Sequence, residues 1–173
     1  YNNLQKLSLT FGHARLVTNG SQLNPDNNQP IKVDDIIGVH NGIITNNNVL
    51  WSKFPNLTRK YEIDSEIIFS IINDKIKNNG QSIEQSVSQA FDQIEGTAAI
   101  AFLVNGLNKF VLATNNVSLY KIQKEGEFCI FGSEERFLNY LCKSSKYQKI
   151  TNGTYVEPIM AKNGIIVDLD DLS

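Results

Sequence analysis

Three places in the chain carry side chains whose chemistry sits oddly with their apolar neighbours. Arg15 lies between Ala14 and Leu16 in a short strand-like run, where a charge needs a partner. Asn41-Gly42 follows the apolar stretch Ile36-Ile37-Gly38-Val39-His40, and an amide side chain next to a backbone N–H forms a donor pair suited to an oxyanion. Asp64 precedes Ile67, Ile68, Ile71, Ile72 and Ile76, and its carboxylate could receive a substrate ammonium group. Each has a plainer reading: an edge-strand arginine paired on the surface, a tight turn at Asn-Gly, and a helix N-cap at Asp64. Taken one at a time, none of the three decides anything.

The elements that must position these residues follow from periodicity and turn chemistry. Alternation predicts strands over residues 7–11 and 14–17, then a loop over 21–30 that contains Pro25 and Pro30. A strand over 33–40 is expected to run into a tight turn at Asn41-Gly42. Asn46 or Asn47 can cap a short helix through Val49, Leu50 and Trp51 that ends at Phe54-Pro55. The isoleucine stripe after Asp64 has helical spacing and closes at Asn78-Asn79-Gly80, and Ser82 with Gln85 resembles a capping box for a helix reaching about Glu95. Strands are expected over 97–104, 110–114, 118–122 and 127–131. Ser133 then caps a helix over 134–142 with Phe137, Leu138 and Leu141 on its apolar face, and two hairpin-like strands, 154–160 and 165–169, end the chain. Helices grouped between two blocks of mostly antiparallel strands predict a layered α+β sandwich, not a doubly wound parallel sheet.

Composition narrows the function classes. At 173 residues the length prior is one domain, and a formal net charge of −2 gives no basic footprint for nucleic acid or an anionic membrane. No apolar run approaches the ~20 residues of a membrane span, and the start of the chain does not read as a signal peptide. Cys129 and Cys142 are too few and too far apart for a disulfide framework or a paired-cysteine zinc site, and are expected to be small buried hydrophobes in a reducing cytoplasm. Asn-x-Ser/Thr triplets at Asn19, Asn56, Asn116 and Asn152 are chance products of an Asn-rich composition. No metal site and no cofactor is expected, and nothing resembles a Gly-rich phosphate loop.

Order and context give the three sites a common meaning. Residues 12–20 read Gly-His-Ala-Arg-Leu-Val-Thr-Asn-Gly; Gln29-Pro30, Val39-His40-Asn41-Gly42-Ile43-Ile44-Thr45-Asn46 and Asp64-Ser65-Glu66 follow. This ordered set resembles the class-II glutamine amidotransferases, N-terminal-nucleophile hydrolase domains that release ammonia from glutamine. It is most similar to the glutaminase domains of glucosamine-6-phosphate synthase and amidophosphoribosyltransferase. Gly96-Thr97-Ala98-Ala99, Leu112-Ala113-Thr114, Leu119-Tyr120, Phe131-Gly132-Ser133-Glu134 and the segment 152–157 extend the resemblance over nearly the whole chain.

The resemblance implies an αββα four-layer sandwich over residues 1–173, incomplete at its N-terminus. It implies that Arg15 binds the glutamine α-carboxylate through a planar two-point contact, which lysine could not reproduce. Thr18 and Asn19 would line the same end, although many relatives carry histidine at the Asn19 position. Asp64 would pair with the α-ammonium, with a backbone contact from Gly42. Asn41 and the Gly42 N–H would hold the oxyanion, and His13 and His40 would be packed strand histidines that shape the site. The family's nucleophile is an N-terminal cysteine whose own α-amine takes the thiol proton. This sequence starts at Tyr1, and Cys129 and Cys142 fall in a late strand and helix. The expectation is a domain lacking its first segment, with the cysteine supplied by that segment or by another chain. The alternative is a catalytically inactive glutamine-binding or regulatory module. The expected partners are L-glutamine and an ammonia-accepting synthase domain or subunit in the cytoplasm. Homo-oligomerisation is left open, and no nucleic acid or membrane partner is expected.

Overall fold

The strand β2 (Ile36–Ile44) organises the molecule, because both neighbouring strands and the longest helix are registered against it. The computed structural model describes residues 9–14, 20–21 and 23–173. β1 (Ile31–Val33) turns back through Asp34, which has φ 48°, and pairs antiparallel with β2 from Ile31↔Gly38 to Val33↔Ile36. On the other side β3 (Gly96–Val104) matches β2 along its full length, and β4 (Lys109–Thr114) and β8 (Asn163–Asp168) complete the sheet in the order β1-β2-β3-β4-β8.

Side chains alternate between the two faces of these strands. Ile36, Ile44, Ala98, Ile100, Phe102, Val104, Val111 and Ala113 face a helical layer of α1 (Asn47–Lys53), α2 (Ser65–Lys77) and α3 (Ile83–Phe91). Helix α2 lies close to β2. A Cβ on Gly38 would fall 2.6 Å from the Phe69 ring, so only glycine permits that approach. Val39, Ala99, Ala101, Phe110, Leu112 and Val167 face the opposite way, onto a second sheet of β5 (Tyr120–Lys124), β6 (Phe128–Gly132) and β7 (Glu157–Pro158) in the order β6-β5-β7. In β6, Cys129 and Phe131 point toward the first sheet, and Gly132, on the alternate face, lies against Leu138 of α4 (Glu135–Lys143). With α5 (Gln148–Thr151) beside α4, the layers stack α-β-β-α.

Several sequence expectations need correction. No tight turn forms at Asn41-Gly42: β2 runs straight through both residues, paired with Ala99 and Ala98, because β3 supplies a matching strand. Leu9 to Phe11 are not in a strand, and neither is Ala14; the remainder of the two earliest predicted strands lies outside the described residues. Helix α3 stops at Phe91, short of Glu95. Glu134, not Ser133, occupies the N-cap position of α4, and Phe137 on that helix is 61% exposed, leaving Leu138 as its buried anchor. The last two strands form no hairpin: β7 pairs with β5 and β8 with β4, so the chain crosses from one sheet to the other between them. Cys129 and Cys142 are free thiols and half-buried rather than buried, Cys129 packing against the core between the two sheets. Ser82 does cap α3, its hydroxyl accepting the Gln85 N–H at 3.2 Å.

Candidate functional site

The start of α2 and the far end of β2 meet through one carboxylate. Asp64 occupies the N-cap position of α2 but makes no capping bond to it. Its Oδ2 instead accepts the backbone N–H of Ile44 at 2.7 Å, and the residue is only 4% exposed. The plain N-cap reading of Asp64 is therefore overturned: the carboxylate reaches across to the strand. This bond sets Asp64 two residues from Gly42, although 22 positions separate them in sequence. Asn41 is exposed and shares with Val39 the strand face that looks toward the second sheet.

Gly42 has φ +139°, and a Cβ there would sit 2.1 Å from the Thr97 carbonyl oxygen and 3.0 Å from His40 Nε2. No other residue fits. His40 is buried beneath this point, with Nδ1 3.0 Å from Ser65 Oγ and Nε2 3.3 Å from the Thr97 carbonyl. Desolvation by burial lowers the His40 pKa below its usual 6.5, opposed by the nearby Asp64 charge; a charge on His13 would lower it further. His40 is thus a neutral, packed histidine of the site.

Arg15, Thr18 and Asn19 lie outside the described residues. The chain that leaves them is nevertheless anchored. Gly20, at φ +77°, leads into Ser21, whose N–H donates to the Glu62 carboxylate at 3.0 Å. Fully buried Asn27 completes the clamp. Its Nδ2 donates to the same carboxylate at 2.7 Å and to the Ser21 carbonyl at 3.1 Å, and its Oδ1 accepts the Glu62 N–H. These donors hold the Glu62 carboxyl below the usual carboxylate range. Glu62 is two residues from Asp64, so residue 19 leads within a few residues into a segment tied beside Asp64.

On the far side of α2, Glu66 is buried and accepts the N–H groups of Lys60 and Tyr61 at 2.6 and 2.8 Å; desolvation raises its pKa despite those bonds. The structure thus sets Asp64 close to Gly42, leaves the Asn41 side chain on the other face of β2, and adds Gln29, Asn27, Glu62 and Ser65. Gln29 and Ser65 stood in the sequence only as parts of family-like strings. A polar amide in a loop, buried as in Asn27 or half-buried as in Gln29, gives no periodic signal, so no pattern could have assigned either a role. Among the described residues no group of three His, Cys, Asp or Glu side chains could hold a metal ion, and no helix is long and apolar enough to cross a membrane.

Comparison with known proteins gives the family and the fold. A family described as a glutamine amidotransferase domain matches residues 13–140. Glutamine–fructose-6-phosphate aminotransferase (isomerizing) of Neisseria meningitidis serogroup A is 32% identical over 95 residues, covering 54% of this chain and 16% of that protein. The protein of the same name from Bradyrhizobium diazoefficiens is 27% identical over 108 residues, covering 61% of the chain and 17% of that protein. The structure of the glutamine phosphoribosylpyrophosphate amidotransferase from B. subtilis, complexed with ADP and GMP, superposes with a TM-score of 0.66 at 15% identity, over 93% of this chain and 33% of the other. The chain spans about one sixth of the length of the curated relatives it matches.

Proposed function

The chain belongs to the glutamine amidotransferase domain family, and from that premise we propose that it is the glutaminase domain of an amidotransferase, freeing ammonia from the side-chain amide of L-glutamine for a synthase domain or subunit. The observation that carries this reading is the bond from Ile44 to Asp64, which sets a buried carboxylate beside Asn41-Gly42 at one end of β2. Asp64 receives the α-ammonium of the substrate. Arg15, with Thr18 and Asn19, takes the α-carboxylate, and the Ser21–Glu62–Asn27 clamp supports this by tethering the end of their segment next to Asp64.

With both α-groups held there, the side-chain amide reaches Asn41 and Gly42. The thiolate of an N-terminal cysteine, carried by a preceding segment or another chain, attacks the amide carbon. Negative charge develops on the carbonyl oxygen, where the Asn41 side-chain N–H and the Gly42 backbone N–H stabilise it. Collapse of the tetrahedral intermediate expels ammonia after the leaving nitrogen is protonated, and water then cleaves the thioester to glutamate. Cys129 and Cys142 are not suited to the task, since they lie in β6 and α4.

Calorimetry tests the binding half directly. L-Glutamine should bind the chain, and Arg15→Ala and Asp64→Ala should each weaken it by at least tenfold. Unchanged affinity in both variants would reject the site. In an enzyme carrying the N-terminal cysteine, Asn41→Ala should slow turnover ~10²–10³-fold with little change in binding.

A further inference from the structure

β1 ends its pairing with β2 at Ile31↔Gly38. Two steps further along the same antiparallel register, residue 29 falls opposite His40. Among the described residues no strand partner continues there, and the side chain of Gln29 takes its place. Its Oε1 accepts the His40 N–H at 2.5 Å and its Nε2 donates to the His40 carbonyl at 3.1 Å, the same two bonds that a paired strand residue would make.

This substitution has a consequence two residues on. Backbone N–H groups along one edge of a strand belong to alternate residues, so those of His40, Gly42 and Ile44 share the edge that faces away from β3. His40 is taken by Gln29 and Ile44 by Asp64. The register partner of Gly42 across the sheet, Ala98, directs its own N–H and carbonyl to Asn115, at 2.7 and 3.0 Å, and so toward β4. Among the described residues, the Gly42 N–H is left between two occupied positions.

The same glutamine orients the layer below. Its Nε2 lies 3.4 Å from Ser65 Oγ, which lies 3.0 Å from His40 Nδ1, while His40 Nε2 faces the Thr97 carbonyl. A carbonyl only accepts, so Nε2 carries the imidazole proton and Nδ1 accepts from the Ser65 hydroxyl. The donors therefore run in one direction, from Gln29 to Ser65 to His40 to Thr97, and Ser65 adjoins Asp64 in sequence.

We propose that Gln29 is a positioning residue of this site. By standing in for a strand residue opposite His40, it ends the edge pairing of β2 one step short of Gly42, keeps that N–H open for the substrate carbonyl, and locks His40 and Ser65 between Gly42 and Asp64. The ligand in this statement rests on the glutamine reading above; the edge geometry does not.

The test uses the full chain labelled with nitrogen-15. In the wild type the His40 amide should exchange slowly and the Gly42 amide at least tenfold faster than that of Val39, and L-glutamine should shift the Gly42 resonance. Gln29→Ala removes both bonds: His40 protection and glutamine affinity should each fall about tenfold. Gln29→Glu keeps the acceptor but loses the donor at neutral pH and regains it on protonation. It should therefore recover the Gly42 shift and the affinity as pH is lowered from 7 to 5, a rescue that a merely structural role would not produce. If Gln29→Ala does not fold, the Gln29→Glu titration decides alone. Wild-type His40 protection in Gln29→Ala, or a Gly42 amide as protected as Val39, overturns the proposal, and so does the absence of rescue at low pH where the wild-type chain binds L-glutamine. Loss of His40 protection in Gln29→Ala, in a chain that never responds to L-glutamine, rejects the glutamine reading and upholds Gln29 as the residue that sets the edge.

Discussion

The two faces of the five-stranded sheet are packed to different tightness. Toward the helices, Phe69, Phe102, Ile36, Ile44, Ile67, Ile68 and Ile72 are completely buried, and Phe69 meets Phe102 edge to face at 5.8 Å. Toward the second sheet the contacts are looser. Phe110 sits between Phe11 and Phe131 at 5.3 and 5.4 Å, but every residue of β6 is half-buried. The groups with fixed hydrogen bonds, Asp64, Ser65, His40 and Gln29, belong to the tight side, whereas Asn41 points to the looser one. A rigid face can hold charged and polar side chains within narrow geometry.

The largest expected contrast is between aromatic truncations on the two faces. Phe69→Ala should cost about 3–5 kcal/mol of unfolding free energy in urea titrations, and Phe131→Ala about 2 kcal/mol. Equal losses would dissolve the distinction. Glycine replacements come next. Gly42→Ala forces a methyl against the Thr97 carbonyl at an unfavourable φ and should cost about 2–4 kcal/mol. At Gly132 the added Cβ would meet Leu138 at an ordinary 3.6 Å, so Gly132→Ala should stay within about 0.5 kcal/mol of wild type.

A smaller effect should appear in the pH dependence. Burial depresses the pKa of His40 in the folded state, so the unfolded chain binds its proton first as pH falls. Its contribution to stability is complete above the unfolded value near 6.5 and declines as pH drops from there toward the lowered folded value. The urea midpoint should fall between pH 7.5 and 5.5, and His40→Gln should flatten that slope; an unchanged slope would place the titrating group elsewhere. The smallest effect belongs to the second sheet. Burial pushes the Cys129 thiol up, so its alkylation at pH 8 should run several-fold slower than that of free cysteine. A rate matching free cysteine would show that β6 opens readily.

Legibility from sequence followed the same division. The isoleucine stripe of α2 repeats at the helical period, the apolar run over 97–104 is continuous because both faces of β3 are covered, and both elements lie where those patterns place them. Sheet membership near the end of the chain was not legible, because two short strands of similar pattern are equally suited to pair with each other or with distant partners. Asn41-Gly42 misled in the other direction. Its local chemistry fits a turn, and only the nine-residue match to β3 keeps it extended. The plainer reading of Asp64 had the same weakness, since an N-cap is a local expectation and the bond to Ile44 is a long-range one.

By itself the sequence determined the layered α+β class, the family resemblance and the residue types at the candidate site, because patterning and ordered motifs are properties of the chain alone. The tertiary structure decided which edge of β2 stays open, what Asp64 bonds, and the use of Gln29 as a substitute strand residue. Those outcomes depend on which backbone groups are already satisfied by distant partners, and hydrogen-bond satisfaction is settled only when the whole fold has closed.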